Sequence, residues 1–140
     1  MPRKLPALTA DNTPFWLGGR QAVLNIHRCG ACQRWFHPPT PICPRCASFD
    51  VAPQPVSGAG TVASFTVNLQ AWTAELKCPY VVAIIDLVEQ PGLRLLSNVV
   101  GTAPEQVRIG MAVQVQFEQH EDVWLPLFAP VTALADGGPA

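Results

Sequence analysis

The sequence is short of nearly everything that marks a self-sufficient enzyme. It holds one tyrosine, two methionines and three histidines in 140 residues, and only 14% of its residues are charged. There is no G-x-S-x-G elbow, no H-E-x-x-H motif and no glycine-rich phosphate loop. The scattered titratable residues form no catalytic set. His120 lies among acids in "EQHED" and reads as a solvated turn. Asp86 interrupts "YVVAIIDLV" as a single carboxylate that needs a partner if buried. That same run is the longest strongly apolar stretch, far too short to cross a bilayer. The opening "MPRKLPALTADNTPFW" has no continuous apolar core, which argues against a signal peptide. The expectation is a soluble cytoplasmic protein that makes no use of a membrane.

What the chain does have is 49% apolar residues, enough to exclude general disorder. Its 15 prolines and 10 glycines are scattered, break helices and favour short strands. The length suits one domain, or a small module joined to a modest one. Charge is uneven along it. Up to Asp50 there are six basic residues against two acids, and from Val51 on three basic residues against eight acids. Positive charge therefore clusters near the cysteines. There it either solvates a small module or attracts phosphates of a nucleic acid or nucleotide-bearing cofactor.

Four segments follow in order. Residues 1–21 read as a loose arm and a short helix begun by "DNTPFW". Asn12 or Thr13 suits the cap, Pro14 the first helical position, and Gly18 and Gly19 the end. Phe15 and Trp16 give the helix an apolar end that either packs on its own domain or docks on a partner. Residues 22–56 form a cysteine module, with a strand at "AVLNIH" and an exit through "FDVAPQPVSG". Residues 57–132 carry five strand signals: "GTVASFTVNL", "YVVAIIDLV", "RLLSNVV", "MAVQVQFEQ" and "DVWLPLFAPV". The second is apolar enough to demand cover on both faces, and the prolines of the last suit an edge. One helical turn fits in "TAPEQVRIG". Five β-segments with a short helical connection predict a mainly β fold ending in a five-stranded OB-type barrel. Residues 133–140 read as a disordered tail.

The sharpest signal is "CGACQRWFHPPTPICPRC". Cys29, Cys32, Cys43 and Cys46 form a C-x2-C-x10-C-x2-C pattern, two knuckles separated by enough chain for a hairpin. In a reducing compartment this points to metal rather than disulfide. Four thiolates close a tetrahedral zinc site and leave no position for water, so the site is structural. An iron–sulfur centre is the competing reading. His27 and His37 are near enough to be weighed as ligands but are redundant beside four cysteines. Cys78 stands apart in "LKCPY", where Lys77 can lower its pKa, and is read first as a packed thiol.

These segments together resemble a known family. "PFW", "VLNIHRCGAC", "FHPPTPICPRC", "SGAGTVASFTV", "PYVVAIIDLVEQPGLRLLSNVVG", "VRIGMAVQVQFEQ" and "LPLFAP" follow one another as in the DUF35 proteins, over about residues 14–131. The resemblance implies a rubredoxin-like zinc ribbon before an OB-fold. It also implies an accessory subunit, part of a hetero-oligomer with a thiolase-fold enzyme acting on acyl-CoA, with hydratase-like proteins as further partners. The family's metal positions fall on Cys29, Cys32, Cys43 and Cys46, and its partner-facing helix on Phe15 and Trp16. The segment "NLQAWTAELKCPY" departs from the shorter, more proline-rich loop of the family. From charge alone, Arg28, Arg34 and Arg45 are candidate contacts for the phosphates of coenzyme A. A nucleic-acid-binding module is the alternative, opposed by the acidic barrel half and its shortage of stacking rings. A stand-alone thioesterase or redox enzyme built on Cys78 is the third.

Overall fold

The structure, a computed structural model of the chain, describes residues 5–69 and 79–131. Cys78, most of the loop preceding it and the tail lie outside the described residues.

A short helix, α1 (Thr13–Leu17), runs into a 3-10 turn at Gly18–Gln21. Pro14 sits in its first turn, where the missing N–H costs nothing. The expected cap is corrected. Asn12 itself has near-helical dihedrals, so its side chain turns back to the preceding loop. Its Oδ1 accepts from the Thr9 amide at 2.7 Å, and its Nδ2 donates to the Ala7 carbonyl. The Thr13 hydroxyl likewise donates back, to the Thr9 carbonyl. Gly19 brings the turn hard against the barrel. A Cβ there would meet Cβ of Trp124 and lie 2.6 Å from the Phe117 ring.

The first sheet contains β1 (Leu24–Cys29), β2 (Trp35–Phe36) and β3 (Val51–Val56), in the order β2-β1-β3. The stretch read as an exit from the cysteine module is thus a strand. It pairs with all of β1, from Leu24↔Val56 to Cys29↔Val51. Its prolines do not prevent this. The Gly30 amide bonds the Asp50 carbonyl at 2.7 Å, so even-numbered residues of β3 face β1. Pro53 and Pro55 fall on the outer, edge-facing positions, where no N–H is needed.

The second sheet is a closed barrel of β4 (Ala59–Asn68), β5 (Tyr80–Leu87), β6 (Arg94–Val99), β7 (Ala112–His120) and β8 (Val123–Pro130). The order is β4-β5-β6-β8-β7, antiparallel except for β6 with β8. A 3-10 turn, Pro104–Gln106, lies in the predicted connection. Two sequence expectations change. Only one face of β5 is covered: Val81, Ala83, Ile85 and Leu87 are buried, whereas Ile84 is 37% exposed. Closure of the barrel covers the inner face alone. The β8 strand is internal rather than an edge, but it meets β6 through one pair, Val99↔Phe128. Asp86 finds its partner in Arg94 at 2.7 Å. His120 ends β7 with Nε2 2.6 Å from the Glu118 carboxylate, so it is paired rather than freely solvated.

One apolar core joins both sheets. Leu24, Ile26 and Trp35 of the first pack in the same cluster as Val62, Ile85, Val113 and Phe128 of the barrel. A polar contact fixes their relation. Gln90, in the β5–β6 turn, accepts from the Trp35 amide and donates to the Trp35 carbonyl, both at 2.9 Å. Its carboxamide thus acts as one more strand residue beside β2.

Candidate metal centre

Cys29 ends β1, and Cys32 follows in the knuckle that returns the chain to β2. Cys43 and Cys46 form the second knuckle, before β3. The two are built alike. The Cys29 amide bonds the Arg34 carbonyl and the Gln33 amide returns to the Cys29 carbonyl, both at 2.9 Å. In the second, the Cys43 amide bonds Ser48 at 2.9 Å and the Ala47 amide returns to Cys43 at 3.0 Å. Gln33 and Ala47 both take positive φ, 67° and 64°, to make these tight turns.

This backbone aims N–H groups at sulfur. Cys29 Sγ accepts from the amides of Ala31 and Cys32, each at 3.3 Å. Cys43 Sγ accepts from Arg45 at 3.4 Å and Cys46 at 3.5 Å. Such bonds favour the thiolate, and they hold Cys29 below the usual thiol value and Cys43 at about 6. Cys46 is pushed up to about 12. The Ser48 amide pulls it down, but its thiol neighbours, Cys29 first, and burial raise it further, since four sulfurs this close cannot all ionise without a cation.

All four Sγ atoms lie within 4.8 Å of one another. Cys29–Cys46 is 3.6 Å and Cys32–Cys43 3.7 Å. A disulfide needs about 2.05 Å. A tetrahedron of sulfurs about 2.3 Å from a central zinc has edges of about 3.8 Å. The geometry fits a four-coordinate metal ion. His27 and His37 do not join it. His27 is buried against Phe36, and His37 lies beside the Phe15 ring at 4.8 Å. Burial pushes both imidazoles down, His37 to about 4 with help from the His27 charge.

The other candidate residues lie around this centre. Arg28 donates from Nε to the Gln33 carbonyl at 2.9 Å, with its guanidinium 4.8 Å over Trp35. Arg45 is exposed and Arg34 partly so, and neither forms an ion pair among the described residues. Phe15 is only 6% exposed, packed edge-on against the half-buried Trp16. Sequence reasoning did not foresee the Gln90 bridge. It also missed a groove of about 440 Å³ between β6 and β8, beneath α1 and residues 37–39. Pro126 inside a strand was the available signal for the groove.

Residues 19–52 match the family model described as ChsH2, rubredoxin-like zinc ribbon domain, and residues 53–118 match ChsH2, C-terminal OB-fold domain. The chain is 35% identical over 97 residues to a DUF35 domain-containing scaffold protein of Methanocaldococcus jannaschii, covering 68% of this chain and 67% of that one. The chain belongs to the DUF35 family. This DUF35 chain is also 40% identical over 129 residues to a probable enoyl-CoA hydratase alpha subunit of Thermomonospora curvata, spanning 91% of itself but 40% of that protein. Among solved structures it is similar to a chain of the Ltp2-ChsH2(DUF35) aldolase. The TM-score is 0.81 at 38% identity, with 90% of this chain and 98% of that one covered. No helix among the described residues of this DUF35 chain is long and apolar enough to cross a membrane.

Proposed function

We propose that this DUF35 chain is a non-catalytic accessory subunit of an acyl-CoA-processing complex, bound to a thiolase-fold partner that supplies the reacting groups. The observation that carries this reading is its likeness, along 98% of that chain, to one member of an aldolase assembly. The metal centre supports it. Cys29, Cys32, Cys43 and Cys46 hold zinc, and four thiolates leave no coordination position for substrate. The ion pins a ribbon of three short strands into a rigid arm, on the order of 10 kcal/mol in such modules. Trp16, whose ring is only half covered, presents α1 to the partner, and Phe15 anchors that helix from within. Arg34 and Arg45 are free to meet coenzyme A phosphates, while Arg28 is largely held by Gln33 and Trp35. A hydratase-like protein is a further partner, given the alpha-subunit relatives.

Co-expression with candidate thiolase-fold enzymes tests this. The expected result is a stable hetero-oligomer containing one zinc per copy of this chain, active on acyl-CoA only when the partner is present. Turnover of acyl-CoA by this chain alone, or a purified reduced chain without zinc, would reject the reading. Within the complex, Arg34→Ala with Arg45→Ala should weaken coenzyme A retention several-fold without loss of zinc.

A further inference from the structure

The barrel is closed, but barely, where β6 meets β8. One residue pair joins the two strands, supported by a 2.8 Å bond from the Val100 amide to the Phe128 carbonyl. The cause is chemical. The Val131 amide bonds the Ala112 carbonyl, so odd-numbered residues of β8 pair with β7 and even-numbered ones face β6. Position 126 is proline and has no N–H to offer. Its carbonyl is taken by the Ser97 hydroxyl at 2.7 Å. The strands therefore part on one side of Phe128 and leave the groove.

On the β6 side of this groove, Leu96 has no strand partner on β8. The Leu87 amide bonds the Leu93 carbonyl at 2.8 Å, so odd-numbered residues of β6 pair with β5. The N–H and C=O of Leu96 therefore face the groove, and no residue of β8 is in register with Leu96. Native strand edges are guarded by charge, bulges or proline. No Lys, Arg, Asp or Glu lines this groove, and the Leu96 side chain is 69% exposed beside it. The walls are Phe15, Trp16, Leu125 and Leu127. The His37 ring, neutral and without a hydrogen-bond partner among the described residues, lies on the same lining.

We propose that the β6 edge is a docking site for an extended peptide segment of a partner protein. The segment pairs its backbone with Leu96 and seats an apolar side chain against Phe15 and Leu127. A hydrocarbon chain would satisfy the walls but leave the Leu96 amide and carbonyl unpaired. A peptide strand presents a donor and an acceptor at the matching repeat. This deepens the accessory-subunit reading, on which it rests for the existence of a partner, by naming how that partner is held.

The test is selection of random decapeptides displayed against the zinc-loaded full chain, followed by titration of synthetic winners. Selected peptides should alternate apolar residues. N-methylation at alternate amides should lower affinity by about tenfold or more, the usual order for an unpaired hydrogen bond. Leu96→Pro should have the same effect, because it deletes the groove-facing N–H and leaves the β5–β6 ladder intact. Leu96→Ala should change affinity less than about threefold. Should Leu96→Pro disturb the barrel, the N-methylated peptides decide alone. Failure to enrich any peptide, or equal binding of N-methylated peptides, overturns the proposal. So does binding of decanoate where no peptide binds, which would give the groove to an acyl chain. The selection involves no acyl-CoA enzyme, so this proposal and the accessory-subunit reading fail by different results.

Discussion

Gln90→Ala should loosen the ribbon from the barrel without touching the metal. The wild-type carboxamide makes two 2.9 Å bonds to the backbone of Trp35, a residue 9% exposed. A neutral hydrogen bond contributes about 0.5–1.5 kcal/mol net, so the pair is worth roughly 1–3 kcal/mol. In a chain of this size that lowers the melting temperature by about 3–10 °C. Gln90→Glu should cost more than Gln90→Ala, because it replaces the donor with a second acceptor facing the Trp35 carbonyl. The readouts are urea unfolding of the zinc-loaded chain and exchange of the Trp35 amide. Gln54→Ala, at an exposed position on β3, is the control and should stay within about 0.5 kcal/mol. If Gln90→Ala leaves both the unfolding midpoint and the Trp35 amide unchanged, the bridge holds nothing and the shared core alone sets the arrangement.

Removing the metal, by chelation or Cys43→Ser, should strip protection from amides of β1, β2 and β3 while the β4–β5 ladder retains most of its own. Uniform loss across both sheets would mean that the metal supports the barrel directly. Stability should also fall with acid through His37. Burial, with the His27 charge second, depresses its folded pKa from 6.5 to about 4. A depressed histidine pKa leaves its contribution complete above pH 6.5, and it is lost as the pH falls toward 4, by roughly 3 kcal/mol at most. A His37→Leu variant should flatten that slope in urea titrations, and an identical slope would refute the assignment.

The barrel was legible because its information is local. Period-two alternation marks β4 and β7, apolar runs between turn residues mark β5, β6 and β8, and the cysteine spacing marks the metal site in the same local way. What escaped the sequence was set by partners distant in the chain. Pro53 and Pro55 look like strand breakers until β1 is placed on their inner side. "YVVAIIDLV" looks doubly buried because nothing in it says that Ile84 lies on the outer face of a barrel strand. Asn12 suits a helix cap by type, but its own backbone dihedrals turn it the other way. By type and position Phe15 could either pack on its own domain or dock on a partner, and it is the packing around His37 and the barrel that buries it. The Gln90 bridge spans 55 residues, and a lone glutamine in a turn carries no pattern.

The four metal ligands are confined to residues 29–46, whereas the barrel cannot close until Val99 meets Phe128 and Gly60 meets Val113. A ribosome therefore releases every thiolate long before the final strand emerges. Short loops close sooner than long ones. The spacing predicts an order of assembly in which ion capture comes first and the partly built barrel then condenses on the ribbon. In refolding with zinc, exchange protection should reach β1 and β2 before β6 and β8. The reverse order would show that the barrel, not the ion, is the nucleus.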